Sequence, residues 1–168
     1  MEKKTHFFKI NKVINHDLEV KFVEFLEKID KNNPPEFVYL LFDSPGGYQK
    51  SAVFISDEMI KSQLKFYGVA IGNVDSSAIL IYLSCNAWFA YEKAQALLHR
   101  ARADTHDVSR NQIKKIRRSE NQIFRRIAER LSLSVQEIYF MANKNTVIET
   151  NTSIGRRFFL NLDKPSDK

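Results

Sequence analysis

Leu41-Phe42-Asp43-Ser44-Pro45-Gly46-Gly47 closes a hydrophobic strand that begins at Phe37, and it runs straight into a Pro-Gly-Gly turn with a helix soon after Tyr48. Pro45 fixes its own φ and removes a donor. The two glycines reach backbone conformations closed to other residues and let another molecule approach the main chain. A strand-to-helix turn of this kind exposes backbone N–H groups beside a helix N-terminus. Such groups can hold a bound anion or a developing oxyanion. Taken alone, the commoner reading is a tight bend that simply needs glycine.

Working outward, the pattern alternates between strands and helices. Phe7 to Val13 reads as a strand, and His16-Asp17 opens an amphipathic helix with Val20, Phe22, Val23, Phe25, Leu26 and Ile29 on or near one face. Asn32-Asn33-Pro34-Pro35 is a break. The continuous apolar run Phe37 to Phe42 is the pattern of a strand covered on both faces. Ser51 to Lys61 is expected to be a helix with Ala52, Val53, Ile55, Met59 and Ile60 inward. Leu64 to Ile71 follows as a strand, Ser76 to Ser84 as a short apolar helix, and Ala87 to Ala90 and Ala94 to Leu98 as short strands. This β-α-β-α-β-α-β order argues for an α/β domain on a largely parallel sheet. A long helix is then expected over 107–131 and a further one from Ser134, as its cap, to about Asn143. Residues 1–162 are read as a single domain and 163–168 as a flexible tail.

The chain of 168 residues fits one domain with a normal core. The net charge of +6 is concentrated. Between Arg100 and Arg130 there are ten Lys and Arg against four Asp and Glu, an excess equal to that of the whole chain. No apolar run is long enough to span a membrane, and the start lacks a signal-peptide core. The single cysteine, Cys85, excludes an internal disulfide and reads as a small core residue rather than a nucleophile. The expectation is a soluble, cytoplasmic protein that needs no metal and no cofactor.

Three features line up with the Ser-Pro-Gly-Gly turn as the first. The second is Gly72-Asn73-Val74-Asp75-Ser76-Ser77-Ala78, a strand end passing through a small-residue turn into a helix. A serine there sits at the carboxyl end of a parallel strand, where α/β sheets place their chemistry. The third is His99, at the end of a strand shortly after. A serine nucleophile needs a base, and histidine has a suitable pKa. Each has a plainer reading on its own: Ser76 as an N-cap, His99 as a strand-end ring bonded to a carbonyl. The joint pattern is far more specific than either part.

On these blocks the sequence resembles the proteolytic subunit of the Clp protease, within the wider ClpP/crotonase fold. Leu40 to Gly47 is similar to that family's strand followed by Asn-Ser-Pro-Gly-Gly. Gly72 to Ala78 resembles its Gly-Gln-Ala-Ala-Ser-Met-Gly nucleophile turn, and Phe89 to His99 its Phe-x-Leu-Pro-Asn-Ser-x-x-Met-Ile-His segment. The resemblance implies repeated β-α-β units with a long protruding handle helix. It implies Ser76 as nucleophile, His99 as general base, and the N–H groups of Gly47 and Ser77 as the oxyanion hole. It further implies a peptide or unfolded-protein substrate, a homo-oligomeric ring and an AAA+ unfoldase partner.

The chain also departs from the family. The position of the catalytic aspartate holds Asn145, and the earlier acidic position holds Met141. Asparagine can orient an imidazole but supplies no charge. In a serine triad that exchange can cost about four orders of magnitude in rate. Asn145 is therefore either a third catalytic member or a residue that simply turns the chain. Asp75 replaces a small apolar residue beside the nucleophile, where an inward carboxylate would disfavour the oxyanion. The stretch Arg100 to His106 lacks the family's Pro and Gly, and the segment before Phe7 is short for axial loops, which counts against unfoldase docking. Two other readings remain. One is a catalytically impaired homologue acting as an assembly or scaffold subunit. The other, less favoured, is nucleic-acid binding through Arg110, Lys114, Arg117, Arg118 and Arg125, which lack interleaved aromatic residues.

Overall fold

The structure is a computed structural model that describes residues 5–29, 31–101 and 109–161, without the side chains of 160 and 161. The stretch 102–106, the expected helix start at 107–108 and the tail at 163–168 lie outside the described residues. The chain forms an α/β fold in the order β1 (His6–Ile10), α1 (His16–Glu27), β2 (Val38–Ser44), α2 (Gln49–Lys61), β3 (Phe66–Val74), α3 (Ala78–Ser84) and β4 (Ala87–Ala90). There follow β5 (Gln95–Leu98), α4 (Arg110–Leu131), α5 (Val135–Asn143), β6 (Thr146–Glu149), α6 (Ser153–Phe158) and β7 (Leu160–Asn161). Strands β1, β2, β3, β4 and β7 lie side by side, all parallel. β5 joins the end of β3 at Asn73↔Gln95 and pairs antiparallel with β6.

The sheet buries one face. Val38, Leu40 and Phe42 of β2, and Phe66 and Ala70 of β3, are buried. They meet Phe22 of α1 and Tyr82 of α3, whose rings pack on Phe66 and Phe42 respectively. α2 packs against both of those helices. Gly68 belongs to the same face because a side chain there would run into the Tyr82 ring. The alternate residues Tyr39, Leu41, Tyr67 and Val69 are only half-buried, and Phe7 and Ile71 are exposed. The expected two-sided burial of Phe37 to Phe42 is therefore corrected. The helices of this chain cover one face, and the other carries an aromatic row in which Phe7 stacks on Tyr39 and Tyr39 meets Tyr67 edge-on.

Other boundaries move for local reasons. β3 runs on to Val74 because Val74 still pairs with Ser44, beyond an irregularity between Phe42 and Ser44. Asp43 Oδ1 secures it by accepting the Asn73 N–H at 3.0 Å. α3 accordingly begins at Ala78 rather than Ser76. Ile60 and Val20, expected inward, are exposed. Ile60 follows the buried Met59 directly, and one residue of a helix turns about 100° from the next.

α4 starts with a capping box between Ser109 and Gln112. No residue of it is buried before Glu120, after which Ile123, Phe124, Ile127, Ala128 and Leu131 pack into the core. The first turns thus stand away from the body, and the later ones are fastened to it. Arg126 pairs with Asp57 of α2 at 2.9 Å. Arg130 donates to the Leu83 and Cys85 carbonyls and lies over the Trp88 ring. Cys85 is fully buried, which pushes its thiol pKa up.

Candidate active site

Two turns at the carboxyl ends of β2 and β3 are pressed together. The Ser44 hydroxyl donates to the Lys12 carbonyl at 2.7 Å and accepts the Gly46 N–H at 3.1 Å, which tightens the Pro-Gly-Gly bend. Gly46 has φ +83°. A Cβ on it would lie 2.5 Å from the Asp75 carbonyl oxygen and 2.7 Å from Ser76 Cβ. Glycine is needed here both for the left-handed backbone and for the approach of the second turn. Two bonds fix the contact, both donated by the second turn to the first: the Asp75 N–H to Ser44 O at 3.0 Å, and the Ser77 hydroxyl to Gly47 O at 3.1 Å.

Ser76 has φ +54°, unusual for a residue with a side chain. A serine held this way between a strand and a helix is the geometry of a nucleophile turn. Strained backbone of this kind persists only where its surroundings enforce it. Here the Ser76 N–H donates to Leu97 O at 2.8 Å. Asp75 Oδ1 accepts the Leu97 N–H at 2.8 Å, so one β5 residue is gripped from both sides. The carboxylate of Asp75 is thereby engaged in joining β3 to β5. Burial raises its pKa above the usual carboxylate value, opposed by the Leu97 N–H and by attraction to His99, and helped by Asp43. Among the described residues, the N–H groups of Gly47 and Ser77 make no hydrogen bond.

His99 follows β5 directly and is half-buried. Its Nδ1 lies 2.8 Å from the Arg100 carbonyl oxygen. A carbonyl only accepts, so this contact puts the proton on Nδ1 and leaves Nε2 free to take one. No hydrogen bond links Ser76 Oγ to the ring among the described residues. Asn145 has φ +49° and is exposed. The pairing Leu98↔Thr146 brings it alongside His99 along the ladder, but its side chain makes no hydrogen bond among the described residues. The structure thus brings Gly47, Ser76 and Ser77 together, sets His99 just after the strand that grips Ser76, and puts Asn145 one residue beyond the Leu98↔Thr146 pair with no side-chain hydrogen bond to His99 among the described residues.

The sequence reading did not single out Glu120 and Arg100. Glu120 is buried. Its carboxylate accepts both Arg100 Nε contacts at 2.9 Å, Arg100 Nη2 at 2.6 Å and the Ala101 N–H at 2.8 Å. Arg100 Nη1 also donates to Asn143 Oδ1 at 2.9 Å, and its guanidinium lies 4.9 Å from the Tyr139 ring centre. The hydrogen bonds to Glu120 hold the Arg100 guanidinium above its ordinary pKa. A signal for this was present: Glu120 falls on the apolar stripe of α4, between Ile116 and Ile123, where a carboxylate needs a partner.

The family model for Clp protease matches residues 3–155. Among solved structures, an Asn-to-Asp mutant of ClpP1 from Listeria monocytogenes matches with a TM-score of 0.82 and 19% identity, over 96% of this chain and 93% of that one. No curated protein matches the sequence significantly.

Proposed function

The chain belongs to the Clp protease family, and from that premise we propose that it is a serine endopeptidase cleaving peptides or unfolded proteins. The observation that carries this reading is the strained Ser76 turn packed on the Gly46–Gly47 turn, with the Gly47 and Ser77 N–H groups unused. Ser76 Oγ attacks the scissile carbonyl carbon as His99 Nε2 takes the hydroxyl proton. The carbonyl oxygen becomes an oxyanion held by the Gly47 and Ser77 N–H groups, each donor being worth about 3 kcal/mol in such sites. The C–N bond then breaks, and His99 returns the proton to the leaving amine. Water, deprotonated by His99, attacks the acyl carbon, Ser76 regains its proton, and the carboxylic product leaves. The chain does this with its own side chains and backbone and requires no cofactor in this scheme.

The row of exposed Phe7 and Ile71 and half-buried Tyr39 and Tyr67 supports assembly of identical subunits through the open sheet face. A ring with an AAA+ unfoldase partner is the arrangement that family membership suggests. The experiment is labelling with a fluorophosphonate probe of the native protein, Ser76→Ala and His99→Ala. Labelling of the native protein that is lost in both variants supports the peptidase.

A second reading, a scaffold subunit without turnover, is favoured by one observation: no hydrogen bond joins Ser76 to His99. An assembled native protein that stays unlabelled selects it.

A further inference from the structure

We infer that Glu120 is a positioning residue for His99, acting through the Arg100–Ala101 peptide in the place where a serine triad carries its acid. The inference rests on the proposed Ser76–His99 pair. The atoms form a short relay. The Glu120 carboxylate accepts the Ala101 N–H at 2.8 Å. The carbonyl of that same peptide unit, Arg100 O, meets His99 Nδ1 at 2.8 Å. In a trans peptide the C=O and N–H point in opposite directions, so the carboxylate and the imidazole lie on opposite sides of one planar group.

A negative charge at the N–H end polarises the amide and makes its oxygen a better acceptor. The carbonyl then fixes the Nδ1–H tautomer and favours the imidazolium that forms when Ser76 gives up its proton. These are the tasks that the carboxylate performs in a serine triad. Glu120 is suited to the role because it is buried and cannot turn to solvent. The Arg100 fork holds both of its oxygens in place.

The other carboxylate near the ring does not compete. Asp75 is committed to the Leu97 N–H, and its influence on His99 is through space. Asn145, at the position of the family's acid, has no hydrogen bond to the ring. The relay therefore accounts for how His99 is oriented without an aspartate at 145.

Two measurements on the assembled full chain test this. Nitrogen-15 NMR of histidine-labelled native protein, with His99 identified by its loss in His99→Gln, is expected to show the neutral form of that ring with the proton on Nδ1 and that proton shifted downfield. Glu120→Gln keeps an acceptor of the same shape and removes the charge. It is expected to move the Nδ1 proton upfield and to slow fluorophosphonate labelling roughly ten- to a hundredfold, by analogy with the loss of an outer partner of a metal-bound imidazole. A His99 proton found on Nε2 overturns the inference, and needs no variant. So does a Glu120→Gln protein that labels more slowly while its Nδ1 proton stays in place, since Glu120 would then only brace the chain. Native protein with the expected tautomer and no labelling at all leaves the relay standing and removes the peptidase reading instead.

Discussion

Gly46 and Ser76 belong to different turns, yet a single methyl group on Gly46 would sit 2.7 Å from Ser76 Cβ. The glycine is what lets the two turns share one surface, with the N–H groups of Gly47 and Ser77 on the two turns.

Gly46→Ala meets two obstacles at once, a φ of +83° and the contact with Asp75 and Ser76. The backbone strain alone costs about 1–3 kcal/mol. Urea denaturation is expected to show at least that loss, and fluorophosphonate labelling to disappear because the turns must separate. A variant with native midpoint and native labelling would contradict the packing described.

Asp75→Asn keeps an oxygen for the Leu97 N–H and removes a charge beside Ser76. The folded state raises the Asp75 pKa above its ordinary value of 3.8, so folded protein binds more protons than unfolded protein in the window just above that value. Stability contributed by this group therefore falls as pH rises from the unfolded pKa through the folded one. Urea midpoints at acid and neutral pH are expected to differ less for Asp75→Asn than for the native protein. The labelling rate of the variant at neutral pH is expected to rise, since negative charge then develops at the reacting centre without a carboxylate on the residue next to Ser76. A slower rate would mean that the attraction between Asp75 and His99 matters more than the repulsion.

Tyr82 is fully buried, and its hydroxyl donates to the Phe89 carbonyl at 2.6 Å, tying α3 to β4. Burial pushes the phenol pKa up, so it remains a donor across the working range. Tyr82→Phe preserves the ring and leaves that carbonyl without its partner. A loss of about 1–2 kcal/mol is expected by chemical denaturation. An unchanged midpoint would show that the bond adds nothing net.

Ile71 is 48% exposed on the sheet face that no helix covers among the described residues. If identical subunits meet there, Ile71→Glu sediments as a smaller species than the native protein while its thermal transition stays cooperative. Equal sedimentation of the two would move the interface elsewhere.

Much of this fold was legible in the sequence because its signals are local. Pro45-Gly46-Gly47, Ser134 as a cap and the apolar spacing of α4 each act within a few residues. The boundary errors arose where a neighbour overrode the local pattern. β3 continues through Gly72 to Val74 because Ser44 and Asp43 reach across to it, which no window on β3 alone can reveal. The two-sided burial expected for Phe37 to Phe42 failed because an apolar run reports that a strand is hydrophobic, not how many layers this chain supplies to cover it.

The sequence by itself determined the order of strands and helices from β1 to α5, the glycine turn, and the candidate pair Ser76 and His99. Each of these follows from residue type and spacing along the chain. Only the tertiary structure decided the partners. Asp75 is bonded to a strand 22 residues on, and Glu120 reaches Arg100 and Ala101 across 20 and 19 residues. The physical reason is that a buried carboxylate must find donors, and which donors lie within 3 Å of it depends on how distant elements pack.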